Sequence, residues 1–389
     1  MNRRSVLAAI FSRSIMSCSI IFCSIAFCSI TALAQGGYYA VTNNDPPSSA
    51  NSASIFKVQN QGLTLIENLP TGGNGGGGGY FALTRVVVAE NNGQKCLFVG
   101  DASTSDVAAF ALPSLTKAGN YTDPQGNSNA FFASLGLAAR GNLLFAAYGV
   151  SINVGVFKIS TGCKLTLLGT YNTAEAVAGM KVTPDGKTLV LGYGDSVDTY
   201  SISSQGVLTE NGPYPGINAP SGVDVTSDSK YAVFGDATGG TTQIEIYPIN
   251  ADGTLGTETN FGGDGSLGQG QDSSFVYLSP NQKFLYVSNN LSKQITSLTF
   301  SESPLKLSYV GISTLNGALN LTSIGGLVTA VPSGDGAGLY VAEFSGSLGE
   351  VGLLKINANG STTEAPGSPF TNGVSSSLLS VAAYPPRSF

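Results

Sequence analysis

The sequence predicts an all-β protein: a seven-bladed β-propeller, four antiparallel strands per blade, with the ring closed by the C-terminal strand joining the first blade. Three observations predict it. A strand–turn–strand unit recurs, as Gly179-Met180-Lys181-Val182-Thr183-Pro184-Asp185-Gly186-Lys187-Thr188-Leu189-Val190-Leu191-Gly192, again at 222–235 and again at 275–288. The mid-strand anchors Tyr39, Phe98, Phe145, Val190, Val233, Tyr286 and Tyr340 are spaced 43 to 59 residues apart, the period of four-stranded blades. No segment reads as a long amphipathic helix, and 51 glycines with abundant Ser, Thr and Asn suit many short strands joined by turns.

Taken in order, residues 1–34 read as an export leader and 36–389 as the propeller. Asn2-Arg3-Arg4 supplies a positive end, an apolar run covers Ile15 to Leu33, and Ala32-Leu33-Ala34 fits a small-residue cleavage site before Gln35. A retained membrane anchor is the other reading of that run, which its many Ser and Cys disfavour. The paired arginines leave general and twin-arginine export both open. A secreted or periplasmic protein follows, with no stable membrane insertion once the leader is cut. The chain carries a net charge of −6, and the leader holds Arg3, Arg4 and Arg13 with no acid, so the exported part is more acidic still. That argues against nucleic acid as a partner, since a polyanion needs a basic surface.

The propeller opens at Gly36-Gly37-Tyr38-Tyr39-Ala40-Val41, a second strand (b) with no first strand (a) before it. The last run, Ser377–Ala383, is an a strand with no b strand after it, so the two ends complete one blade and leave no free sheet edge there. Third strands (c) are read at Asp106–Leu112, Asn153–Ile159, Gln243–Ile249, Gln294–Phe300 and Val351–Ile356. Loose boundaries near Gly72–Gly79 and Asp264–Gln271 leave six and eight blades as the other counts; both read as insertions, the glycine run as a flexible d–a connection. The glycine run lacks the Gly-Lys-Ser/Thr ending of a phosphate loop. Cys18, Cys23 and Cys28 depart with the leader; Cys96 opens a b strand and Cys163 a fourth strand (d) of the next blade, on the face that carries a–b and c–d turns. A Cys96–Cys163 disulfide between adjacent blades is expected in an exported chain, against the alternative of two buried thiols.

The chain has no histidine. That removes Ser-His-Asp and Cys-His catalysis and histidine-held metals. Candidate ligand-binding residues lie at the opposite mouth, where several b strands end on an acid or amide: Asp101, Asp195, Asp236, Asn289 with Asn290, and Glu343, joined by Asn43-Asn44-Asp45 and by Glu175 and Asp272 from d–a loops. Such a ring could hold Ca²⁺ or a polar ligand, although Asp and Asn at strand ends also fix turns through their own backbone. No cofactor is otherwise called for. Lys181 and Asp224 occupy the same a-strand position in neighbouring repeats and read either as an inter-blade ion pair or as charges facing a ligand in the channel. Arg85 and Arg140 are the other cations near the centre. Tyr39, Tyr286 and Tyr340 read as packing between blades, while Tyr148 and Tyr193, at strand ends, read as surface contacts.

Thr183-Pro184-Asp185-Gly186-Lys187-Thr188-Leu189-Val190-Leu191 and Ser279-Pro280-Asn281-Gln282-Lys283-Phe284-Leu285-Tyr286-Val287-Ser288-Asn289 resemble the blade motif of lactonase-type seven-bladed propellers, the group of 6-phosphogluconolactonase-like enzymes and YVTN-type surface propellers. The resemblance spans nearly all of 36–389 and implies the fold. The lactonase-like enzymes use a histidine with Glu and Arg at the channel mouth. This chain has no such histidine, so no catalytic residue is carried over. The reading is an exported, non-catalytic binding or interaction module taking a protein or small polar ligand at the mouth. A diverged lactone hydrolase with a metal- or carboxylate-based site and a structural envelope protein are the rivals.

Overall fold

The computed structural model describes residues 33, 37–59, 62–77, 84–126, 135–215, 220, 222–237, 239–316, 328–333, 336–345, 348–375 and 380–386. The export leader read at 1–34 lies, Leu33 apart, outside the described residues.

The recurring turn explains the repeat. In blade 4 the Thr183 hydroxyl donates to Asp185 Oδ1 at 2.6 Å and accepts from the Thr188 amide at 3.0 Å, while the Lys187 amide donates to Asp185 Oδ1 at 3.0 Å. Thr226 with Asp228 and Ser279 with Asn281 make the same pattern. A hydroxyl, any residue, then Asp or Asn thus closes the a–b hairpin with side-chain bonds that copy backbone ones.

Each hairpin extends into a four-stranded blade. Blade 2 runs Val86–Asn91, Gln94–Asp101, Asp106–Leu112 and Thr116–Thr122. Blade 3 runs Leu135–Arg140, Leu143–Tyr148, Asn153–Ile159 and Leu165–Asn172. Blade 4 runs Gly179–Val182, Thr188–Gly192, Ser196–Ile202 and Leu208–Pro215. Blade 5 has Val223–Val225, Tyr231–Gly235, Ile244–Pro248 and Thr259–Phe261, and blade 6 has Ser273–Leu278, Phe284–Asn289, Gln294–Glu302 and Leu305–Thr314. Blade 7 holds Val328–Ser333, Gly336–Ser345 and Leu348–Ile356, with its outer strand divided into Thr362–Glu364 and Phe370–Ser375, both on Leu348–Ile356. Blade 1 is the closure: Ser380–Tyr384 pairs antiparallel with Tyr39–Asn43, Tyr384 opposite Tyr39 and Ser380 opposite Asn43, ahead of Ala50–Gln59 and Gly62–Asn74.

The core lies between the blades. One cluster joins Phe98, Val107 and Ala109 of blade 2 to Leu137, Leu144 and Phe157 of blade 3, and others fill the remaining gaps in the same way. The Cys96–Cys163 disulfide sits in that cluster, with both residues almost fully buried. Cys163 does not open the d strand as expected but ends a 3₁₀ turn, Thr161–Cys163, two residues ahead of it.

The glycine ending several b strands has a packing reason. A Cβ on Gly235 would stand 2.1 Å from the Ser273 carbonyl of blade 6, and one on Gly192 2.3 Å from that of Pro220. The chain entering the next blade crosses these positions, so only a missing side chain admits it. The glycine run is likewise packed where it is described: Gly62–Asn74 is a strand, and a Gly75 Cβ would lie 2.5 Å from the Asp45 backbone. Residues 78–83 lie outside the described residues.

Candidate functional site

The a strands surround a cavity of about 490 Å³ on the ring axis, with wall residues from blades 1 to 6. Its wall mixes apolar and polar surface, with Val86, Leu137, Met180, Phe275 and Tyr277 among the apolar contributors. Lys181 and Asp224 also line it. Their ion pair measures 3.2 Å, with Lys181 about one-third exposed and Asp224 buried. Asp224 Oδ1 also accepts from the Val225 amide at 3.0 Å, and Oδ2 accepts from Leu278 of blade 6 at 2.8 Å. One carboxylate thereby joins blades 4, 5 and 6. Arg140 and Glu90 also line the cavity, at the a–b ends of their strands.

At the b–c mouth several of the expected acids and amides are bonded to neighbouring strands. Asp101 is fully buried, and its Oδ1 accepts from Thr71 at 2.6 Å and Asn51 at 2.7 Å, bonding blade 2 to blade 1. Asn289 accepts from Ser273 at 3.0 Å and donates to Thr296 at 2.8 Å. Asp272 accepts from Ser274 at 2.8 Å, and burial raises its carboxyl. Asp236 is buried beside blade 5, whereas Glu175 and Asp195 are exposed, with Glu175 accepting from the Gly194 amide at 3.4 Å. Glu343 stands opposite Glu350 in blade 7. Among the described residues no three His, Cys, Asp or Glu side chains are disposed to hold a metal ion.

Three features escape sequence reasoning. Asp45 and Arg85 form a buried ion pair beside the ring closure. Asp198 and Glu245 place acids on buried faces of c strands; their neighbours Val197, Ile244 and Ile246 are apolar, so alternation within each strand was the available signal. Tyr148 and Tyr193 are buried between blades rather than exposed, because a b-strand end here still points into the wedge between sheets. Tyr193 donates to Asp198 Oδ2 at 3.4 Å.

Burial, and after it the charge of Asp106, pushes the Asp101 carboxyl up to about 8. Its unfolded value is near 3.8, so between those limits the native chain holds a proton that the unfolded chain has released. The unfolded state then binds fewer protons, and stability falls as pH rises through this window, by at most about 1.4 kcal/mol per pH unit for one such group. Asp101→Asn mimics the protonated acid: its carbonyl can serve Thr71 and Asn51 while its amide faces Asp106. The variant is expected to lose little at pH 6 and to match or exceed the parent at pH 8, read by urea unfolding at both values. Parallel pH slopes for the two proteins would refute the assignment.

No family model matches this chain. No curated protein matches it either. Solved structures do. A Bacteroides fragilis protein named "putative 6-phosphogluconolactonase" is 17% identical, with a TM-score of 0.64 over 91% of this chain and 99% of that one. A Lactobacillus plantarum protein gives 15% identity and a TM-score of 0.66 over 89% and 99%. The periplasmic gluconolactonase of Pseudomonas aeruginosa gives 14% and 0.64 over 89% and 99%. At these identities the likeness is one of fold, that of the lactonase-like seven-bladed propellers.

Proposed function

We propose that the chain is an extracytoplasmic, non-catalytic binding module that takes a small polar organic ligand in its central channel. The observation that carries this reading is the axial cavity, whose mixed wall holds Lys181, a partly exposed cation at 3.2 Å from Asp224. A cavity of that size suits a small molecule, and an oriented charge beside apolar surface gives it direction. Asp224 is a poor general base here, since both its oxygens already accept hydrogen bonds. The other buried mouth acids with assigned partners are spent on bonds within and between blades. The leader-like N-terminus and the disulfide support export, as does the name of the Pseudomonas aeruginosa neighbour, a periplasmic gluconolactonase. Among the described residues no helix is long and apolar enough to cross a membrane.

That neighbour's name makes sugar lactones and their acids the first probes. Calorimetric titration is expected to find binding without turnover in a parallel hydrolysis assay. Lys181→Met should weaken binding on the order of tenfold or more, the loss of one charged hydrogen bond. Metal-independent turnover abolished by one substitution at the mouth would replace this reading with that of a lactone hydrolase.

A further inference from the structure

Blade 5 carries a second cleft away from the axis. Phe234 pairs with Glu245 and Glu245 with Asn260, and the ladder continues as the Asp236 amide donates to the Gln243 carbonyl at 3.2 Å. Directly opposed residues share a face, as do alternate ones, so Asp236, Gln243, Glu245 and Asn260 all lie on one side of the sheet. The loop from Phe261 to Ser266 borders an open cavity of about 650 Å³ over them.

Its charge is unbalanced. Asp236, Glu245 and Asp264 line it, and no Lys or Arg does. Glu245 is only 6% exposed, and its Oε2 has no hydrogen-bond partner. The hydroxyl of Tyr247 donates to Glu258 Oε2 at 2.6 Å. Asp236 on the same face, and Glu258 beyond Tyr247, add like charge to the surroundings of Glu245. A buried carboxylate without a cation is costly, and here the neighbouring charges make it worse. The donors on this face are all oxygen or amide. The chain has no histidine, and its two described cysteines are bridged, so soft metals find no ligands.

We propose that this cleft binds a calcium ion, held by the carboxylates of Asp236 and Glu245 and completed by the amide oxygens of Gln243 and Asn260 and by water. Calcium accepts six to eight oxygens in flexible geometry, which an open cleft of mixed donors can supply. Two carboxylates are a low charge count, consistent with the described residues offering no group of three. The affinity therefore falls in the range of extracellular modules, with a dissociation constant of about 10⁻⁴ to 10⁻³ M.

The test uses the full purified chain, stripped with chelator. Calcium in the millimolar range is expected to raise its melting temperature, and EGTA to reverse the shift. Terbium should bind in its place and luminesce on tyrosine excitation, with Tyr247 as the nearby donor, and calcium should quench the signal by competition. Glu245→Gln should weaken calcium on the order of tenfold or more while leaving the metal-free protein as stable as the parent, since the isostere removes repulsion. Asp236→Asn is the second variant and should weaken calcium similarly. An unchanged melting temperature at millimolar calcium would overturn the proposal, as would a shift that survives in both variants.

Discussion

Replacing Arg85 by alanine is expected to cost about 3–5 kcal/mol, the usual result of breaking a buried ion pair and leaving one charge behind. Arg85 is 1% exposed and Asp45 is fully buried, so water cannot replace the lost partner. The pair also gathers the closure of the ring. Asp45 Oδ1 accepts from the Gly76 amide at 2.8 Å, and the Arg85 guanidinium donates to the Gly77 carbonyl at 3.2 Å. The Arg85 amide donates to Ser380 Oγ at 3.1 Å, on the strand that closes blade 1. Burial pushes the Asp45 carboxyl up to about 6 even against the pull of Arg85. Without the guanidinium it rises further, and the native state of the variant holds a proton that the unfolded chain releases above about 3.8. The loss in Arg85→Ala is therefore flat up to about pH 6, where the parent Asp45 is itself protonated, and grows as pH rises above it. Urea unfolding from pH 4 to pH 8 reads both magnitude and slope. The double variant Asp45→Asn with Arg85→Met should recover part of the loss, because no charge is then stranded. A flat loss below 1 kcal/mol across that range would mean that the pair is solvated.

The parts of this molecule written in short stretches were legible without the structure. The hairpin of Thr183, Asp185 and Lys187 satisfies itself within five residues, so each blade advertises its own turn. The ring closure was legible for a related reason, since an unmatched b strand near Tyr39 and an unmatched a strand near Val381 need each other. What sequence could not reach was the wedge between blades. Asp45 meets Arg85 from 40 positions away, and Asn51 meets Asp101 from 50, because the register of two different sheets brings them together. The acids at the b–c mouth looked alike as strand ends. Asp101 points into the blade 1 interface, whereas Asp195 stays exposed, a difference set by inter-blade packing rather than by local pattern. Lys181 and Asp224 fall between these cases: equal positions in adjacent repeats placed them side by side, and the 3.2 Å pair is present.

Substituting Cys96 and Cys163 together by alanine is expected to lower stability by about 2–4 kcal/mol. The bridge closes a loop 67 residues apart in sequence, and in the chain-entropy account a loop of that length restricts the unfolded chain by roughly 4 kcal/mol. Part of that figure will be absent, since unfolded propellers retain some compactness of their own. The site adds a native-state term of the same sign. Both sulfurs lie in the cluster that packs blade 2 against blade 3, and trimming them to methyl groups opens space beside Leu165 and Ala89. The two contributions separate experimentally. Releasing the crosslink enlarges the unfolded ensemble, so the urea m-value should rise in the double variant, whereas a packing defect alone lowers the midpoint at constant m. Protein unfolded in urea with reductant should approach the double variant in m-value while keeping more of its stability, because its thiols still fill the cluster. If the reduced parent and the oxidised parent unfold with the same midpoint and slope, the bridge contributes nothing and blades 2 and 3 are held by packing alone. The expected outcome instead makes the Cys96–Cys163 bridge part of what stabilises this fold.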